Sequence, residues 1–163
     1  MRTMVDDLIA WLDHTFSREG WHVSLLASVQ DLTAAQAAWV PAPERNSIWR
    51  IVDHVSLWKE EGARRMAGQP PRPSGWAKAH DWPPLDQVSE ERWQAAVERL
   101  RRAHGALRAS LAAMSDGDLH APPAPGSSEP RLATVTGLIA HDSYHCGQIC
   151  YLRALLGVPA KVW

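Results

Sequence analysis

Three long stretches of this chain, Ile48 to Met66, Ser89 to about Met114 and Leu132 to about Leu156, repeat their apolar residues at three- and four-residue steps. Residues so spaced stack on one face of an α-helix, so the pattern predicts three amphipathic helices. A fourth stripe, Met4, Val5, Leu8, Ile9, Leu12 and Phe16, opens the chain. No segment shows the two-residue alternation of a half-buried strand, and no repeat occurs. Four long helices with separate apolar faces are satisfied most economically by an all-α four-helix bundle.

The connections follow from helix breakers and caps. Gly20 interrupts the first stripe, and Val23, Leu25, Leu26 and Val29 predict a second helical stretch from about Trp21 to Val29. Thr33 reads as the N-cap of a turn over 34–39, and Asn46 or Ser47 as the cap of the run from Ile48. Gly68, Pro70 and Pro71 stop that run, and Gly157 and Pro159 stop the last one. Residues 69–84, with five prolines, Trp76 and Trp82, cannot form one regular element, and their length suits a loop packed over the bundle. A second Pro/Gly/Ser-rich connection covers 115–130.

The 163 residues fit one domain over 1–163. A net charge of −1 with both signs mixed gives no nucleic-acid footprint and no polybasic membrane patch. No apolar stretch reaches membrane-spanning length, and residues 1–12 do not read as a signal peptide. Two cysteines do not make a disulfide framework. A cytoplasmic protein with a small-molecule substrate is expected.

The chemistry concentrates in the last helix. His141 and His145 are one helical turn apart, and on a helical wheel they lie about 40° from one another. Their imidazoles therefore share a face. Gln148 points the same way, whereas Cys146 and Cys150 fall on the opposite side, so a third ligand would come from elsewhere. His54 is the candidate, because its face on the run from Ile48 also carries Ile51 and Trp58; the plainer reading of all three is as hydrogen-bonded or packing histidines. Three histidines leave a coordination position open, unlike the closed four-ligand set of a structural zinc site. Imidazole suits zinc, nickel, iron or copper. The residue after His141 is Asp142 and not glutamate, so the general base of the zincin motif is missing.

Other residues have plainer readings. Glu61 shares the face of His54 and is a carboxylate that supports a ligand from behind, a base or, more simply, the partner of an arginine. Gln148 is expected to bond between helices, and Arg99, Arg101, Arg102 and Arg108 to form a solvated helix face. His14, His22, His80, His104 and His120 default to solvated or hydrogen-bonded histidines. Trp21, Trp58, Glu61, Tyr144 and the loop from Trp76 to Trp82 are the candidates for the surroundings of an open coordination position.

Asn46-Ser47-Ile48-Trp49 leading to His54, followed by His141-Asp142-Ser143-Tyr144-His145-Cys146-Gly147-Gln148-Ile149, resembles the DinB-like (DinB/YfiT) metalloenzyme superfamily. Softer similarities at Trp21-His22, Leu32 to Pro43 and Asp81-Trp82-Pro83 extend the resemblance over nearly the whole chain. It implies a four-helix bundle, frequently a homodimer, with a divalent metal ion (zinc or nickel foremost) on His54, His141 and His145. It also implies an enzyme, foremost a transferase that uses the metal-bound thiolate of a low-molecular-weight thiol. The alternatives are a metal-dependent hydrolase and a non-enzymatic metal- or ligand-binding stress-response bundle. No nucleic-acid or membrane partner is implied.

Overall fold

A computed structural model describes residues 2–18, 20–125, 127 and 129–160. Every regular element among them is helical: α1 Met4–Ser17, α2 Leu25–Ser28, α3 Ala34–Ala38, α4 Ile48–Met66, α5 Trp76–His80, α6 Glu90–Ala112, α7 Asp116–His120 and α8 Arg131–Leu155. The long helices α1, α4, α6 and α8 form the bundle, and the other four are single turns in its connections. None of the helices is long and apolar enough to cross a membrane.

Local chemistry sets the boundaries. Thr3 and Asp6 close a capping box on α1, and Thr33 and Gln36 close another on α3. Ser47, not Asn46, caps α4 by accepting from the Arg50 N–H. Two connections expected to be irregular each hold one helical turn, α5 and α7. The helix expected from Trp21 shrinks to Leu25–Ser28, because Ser24 accepts from the Ala27 N–H and starts the helix there.

The interior is layered. One apolar cluster joins Leu25, Trp49, Val52, Trp93, Leu100 and Ile149. A second joins Leu8, Leu12, Met66, Leu107, Val135 and Leu138 toward the other end. Between them runs a polar level containing Thr15, His54, Lys59, His104, Asp142 and His145, all buried. In a bundle whose stability comes from apolar burial, such a level costs free energy unless its groups satisfy one another. The Lys59 Nζ donates to Asp142 Oδ2 at 2.6 Å with both side chains fully enclosed.

The arginines of α6 are not simply a solvated face. Arg99 forms a paired contact to Glu60 on α4 at 2.9 and 2.8 Å, and Arg108 bonds Asp13 on α1 at 3.1 Å. His104 is buried, stacked on Phe16 with ring centres 3.7 Å apart, and 3.2 Å from Asp13.

Candidate metal centre

The polar level opens to one side of the bundle where α4 faces α8. His54 comes from the second turn of α4, and His141 and His145 from successive turns of α8. The Nε2 atom of His141 lies 2.9 Å from that of His54 and 3.0 Å from that of His145. The three imidazoles thus meet at their Nε2 atoms, and their ligand atoms all lie within 4.8 Å of one another. Cys146 and Cys150 take no part; Cys146 is buried and donates to the Val23 carbonyl.

The far nitrogens decide what meets in the middle. His54 Nδ1 is 2.5 Å from Asp81 Oδ1, so a neutral His54 carries its proton there and leaves Nε2 as a lone pair. His145 Nδ1 is 2.7 Å from Gln148 Oε1, which fixes the same tautomer. His141 Nδ1 is buried without a partner among the described residues. Burial, with His145, His54 and Lys59 nearby, holds the His141 imidazole down at about 3. Burial and then His54 hold His145 at about 4, against the upward pull of Gln148 and Asp81. Both are therefore neutral at pH 7.

Convergent lone pairs repel unless a cation joins them, so the donor set fits a divalent ion. Two bonds of about 2.0–2.1 Å opened at a tetrahedral angle separate their nitrogens by about 3.3–3.4 Å. The observed spacings need only a few tenths of an ångström to reach that.

Aromatic groups and the 76–85 segment enclose the site. Trp82 stacks on His54 with ring centres 3.9 Å apart and planes 11° off parallel. Arg50 holds that segment by donating to the Trp82 carbonyl at 2.7 Å. The Trp58 indole N–H donates to the second oxygen of Asp81 at 3.3 Å. Tyr144 meets His145 edge-on, and its hydroxyl accepts from Gln148 Nε2 at 3.0 Å. A cleft of about 270 Å³ runs from His141 between α4 and α8, with Trp58, Gly62, Leu138 and Arg65 along it.

Several expectations change here. Gln148 does not bridge helices; it orients His145 within α8. Glu61 takes the simpler of its readings, as expected, since Arg64, Arg65 and Arg72 surround its carboxylate and leave no base there. Trp21 is 94% exposed and is no part of the enclosure. Asp81 is the residue that sequence reasoning missed as a site residue. Its signals were its place in the Asp81-Trp82-Pro83 similarity and in a loop too long to be idle, neither of which singled out the carboxylate.

The comparisons agree with this architecture. A family model described as the DinB superfamily matches residues 18–149. No curated protein matches the sequence. A crystal structure described as the conserved protein of locus from Enterococcus faecalis superposes with a TM-score of 0.68 at 16% identity, covering 96% of this chain and 99% of that one. At that identity the likeness speaks for the fold alone.

Proposed function

The chain belongs to the DinB superfamily, and from that premise we propose that His54, His141 and His145 hold one divalent metal ion, zinc or nickel, at the centre of a metal-dependent enzyme. The observation that carries this reading is the convergence of three Nε2 atoms whose tautomers Asp81 and Gln148 set from behind. A metal ion bound there lowers the pKa of a coordinated thiol or water and so provides a nucleophile near neutral pH.

The residues around the site favour thiol transfer over hydrolysis. A hydrolase of the zincin kind needs a free carboxylate to take the proton from water. Each carboxylate near these imidazoles is already engaged. Asp81 serves His54 and Trp58, Glu61 serves three arginines, and Asp142 serves Lys59 and Thr15. A thiol ionises more readily than water and can lose its proton to solvent. The protein is accordingly an S-transferase that joins a low-molecular-weight thiol to a small electrophile, with the cleft beside His141 as the entry for one of them.

Two measurements test this. Untagged protein should carry about one equivalent of divalent metal by elemental analysis, and His54→Ala should not. The metal-loaded protein should consume electrophiles only when thiol is added. Turnover in water alone would favour the hydrolase, and metal without turnover on any electrophile would favour a binding module.

A further inference from the structure

Cys146 and Cys150 lie one turn apart on α8, on the side turned away from the imidazoles, with Cys150 about 180° around the helix from His141. Neither enters the chemistry proposed above. Both are free thiols; Cys146 is buried and Cys150 half-buried. Among the described residues only the three histidines come close enough together to share a metal ion, so the cysteines do not make a second metal site. Nor do they suit a structural disulfide. Side chains four apart on a helix hold their Cβ atoms about 5–6 Å from one another, whereas a disulfide needs about 3.5–4.5 Å.

The surroundings of Cys150 favour its anion. Arg153, one turn on, is 7% exposed, and its hydrogen bonds all go to carbonyls, those of Val158, Ser28 and Gln30. Its Nη2 has no hydrogen-bond partner among the described residues, and no carboxylate among them forms an ion pair with it. A buried cation met only by dipoles is stabilised by an anion at its side. Burial pulls the Arg153 guanidinium down, and Cys150, ahead of Asp31, pulls it back up. The influence is mutual: a hydrogen bond from Cys146, and then Arg153 and His22, hold the Cys150 thiol below its ordinary range, against the upward push of burial. The Cys146 S–H donates to the Val23 carbonyl or, when Cys150 is ionised, to that sulfur.

His22 is no general base for this thiol. Its Nδ1 donates to the Val23 carbonyl at 2.8 Å, which leaves Nε2 to accept from the Ser143 hydroxyl at 3.2 Å. With that nitrogen occupied there is no Cys–His pair of the kind that drives nucleophilic catalysis. What remains is a half-buried thiolate beside a cation, and the chemistry open to it is exchange with a disulfide.

We propose that Cys150 is a thiolation site for small disulfides. Its proton lost to solvent, Cys150 attacks one sulfur of the disulfide; that S–S bond breaks, a mixed disulfide forms on Cys150, and the other half leaves as a thiolate. Cys146 does not displace the adduct, because the helix holds the two Cβ atoms too far apart. The modification therefore persists until an external thiol reverses it.

Oxidised glutathione, offered to the folded full chain, tests this. At pH 7, peptide mass mapping should find one glutathione per chain, on Cys150 and not on Cys146, and Cys150→Ser should take none. The pH at which the reaction is half-maximal should lie below the ordinary cysteine value of about 8.5, and Cys146→Ala should raise it. A chain that takes no glutathione on Cys150, an adduct shared equally with Cys146, a Cys146–Cys150 disulfide in place of the adduct, or a midpoint at or above the ordinary value each overturns the proposal. Neither metal nor turnover enters the measurement, so its failure leaves the proposed function untouched.

Discussion

The Asp81 carboxylate accepts from His54 Nδ1 at 2.5 Å through one oxygen and from Trp58 Nε1 at 3.3 Å through the other. It thereby fixes His54 in the tautomer whose Nε2 faces His141, and its charge makes that nitrogen a better donor. Carboxylates placed this way behind a ligating histidine change metal affinity by about 10–100-fold when removed. Asp81→Asn should weaken metal binding by that factor in competition with a chromophoric chelator, with helicity unchanged. An unaltered affinity would mean that Asp81 only fastens the loop.

The buried pair Lys59–Asp142 predicts an asymmetry. Removing one partner leaves an uncompensated charge in the bundle, at a cost of about 3–5 kcal/mol, whereas replacing both with apolar groups of similar volume is close to neutral. Lys59→Met should therefore shift the urea midpoint far down, and Lys59→Met with Asp142→Leu should recover most of the loss. Equal losses in single and double variants would show that the pair contributes net stability.

These two relationships mark where the sequence stopped being legible. Periodicity in the runs from Ile48, Ser89 and Leu132 announces three helices, and the spacing of His141 and His145 places both imidazoles on one face. His54 could be added because it shares its face with Ile51 and Trp58. Asp81 could not, because a residue in a proline-rich loop has no period to say where it folds back. Arg99 read as solvated because helical spacing describes one helix at a time, and its partners Glu60 and Asp53 sit on another. Lys59 was hidden for the same reason. A lysine in an amphipathic run implies solvent until a carboxylate from a distant helix is known to oppose it.

His104 predicts a pH dependence. Burial, and then Lys59, hold its imidazole at about 4 against an ordinary 6.5, with Asp13 pulling the other way. A histidine depressed on folding is neutral in the native chain and takes up its proton more readily when unfolded. Its contribution is therefore complete above pH 6.5 and is lost as pH falls from there toward 4, by up to about 1.4 kcal/mol per pH unit. His104→Phe keeps the stack on Phe16 and removes the titration. Its urea stability should fall less than that of the wild type between pH 7 and pH 5, with both proteins held metal-free. Parallel slopes would show that His104 is not the group responsible.

Metal loading should raise the melting temperature through the same nitrogens. A ligand at 100 times its dissociation constant stabilises the folded state by about 2.7 kcal/mol. For a chain of this length each kcal/mol is worth about 2–4 °C, so the shift should be about 5–11 °C. His54→Ala removes one of the three donors and should abolish the shift. Asp81→Asn keeps all three and should only move it to higher metal concentration. The metal-free melting points are informative in their own right. The three Nε2 atoms crowd one another at 2.9 and 3.0 Å when no cation joins them, so His54→Ala should lose less stability in the metal-free state than the cavity it leaves against Trp82 would suggest. If it loses as much with chelator as with metal, His54 is a packing residue and the proposed ligand set is wrong.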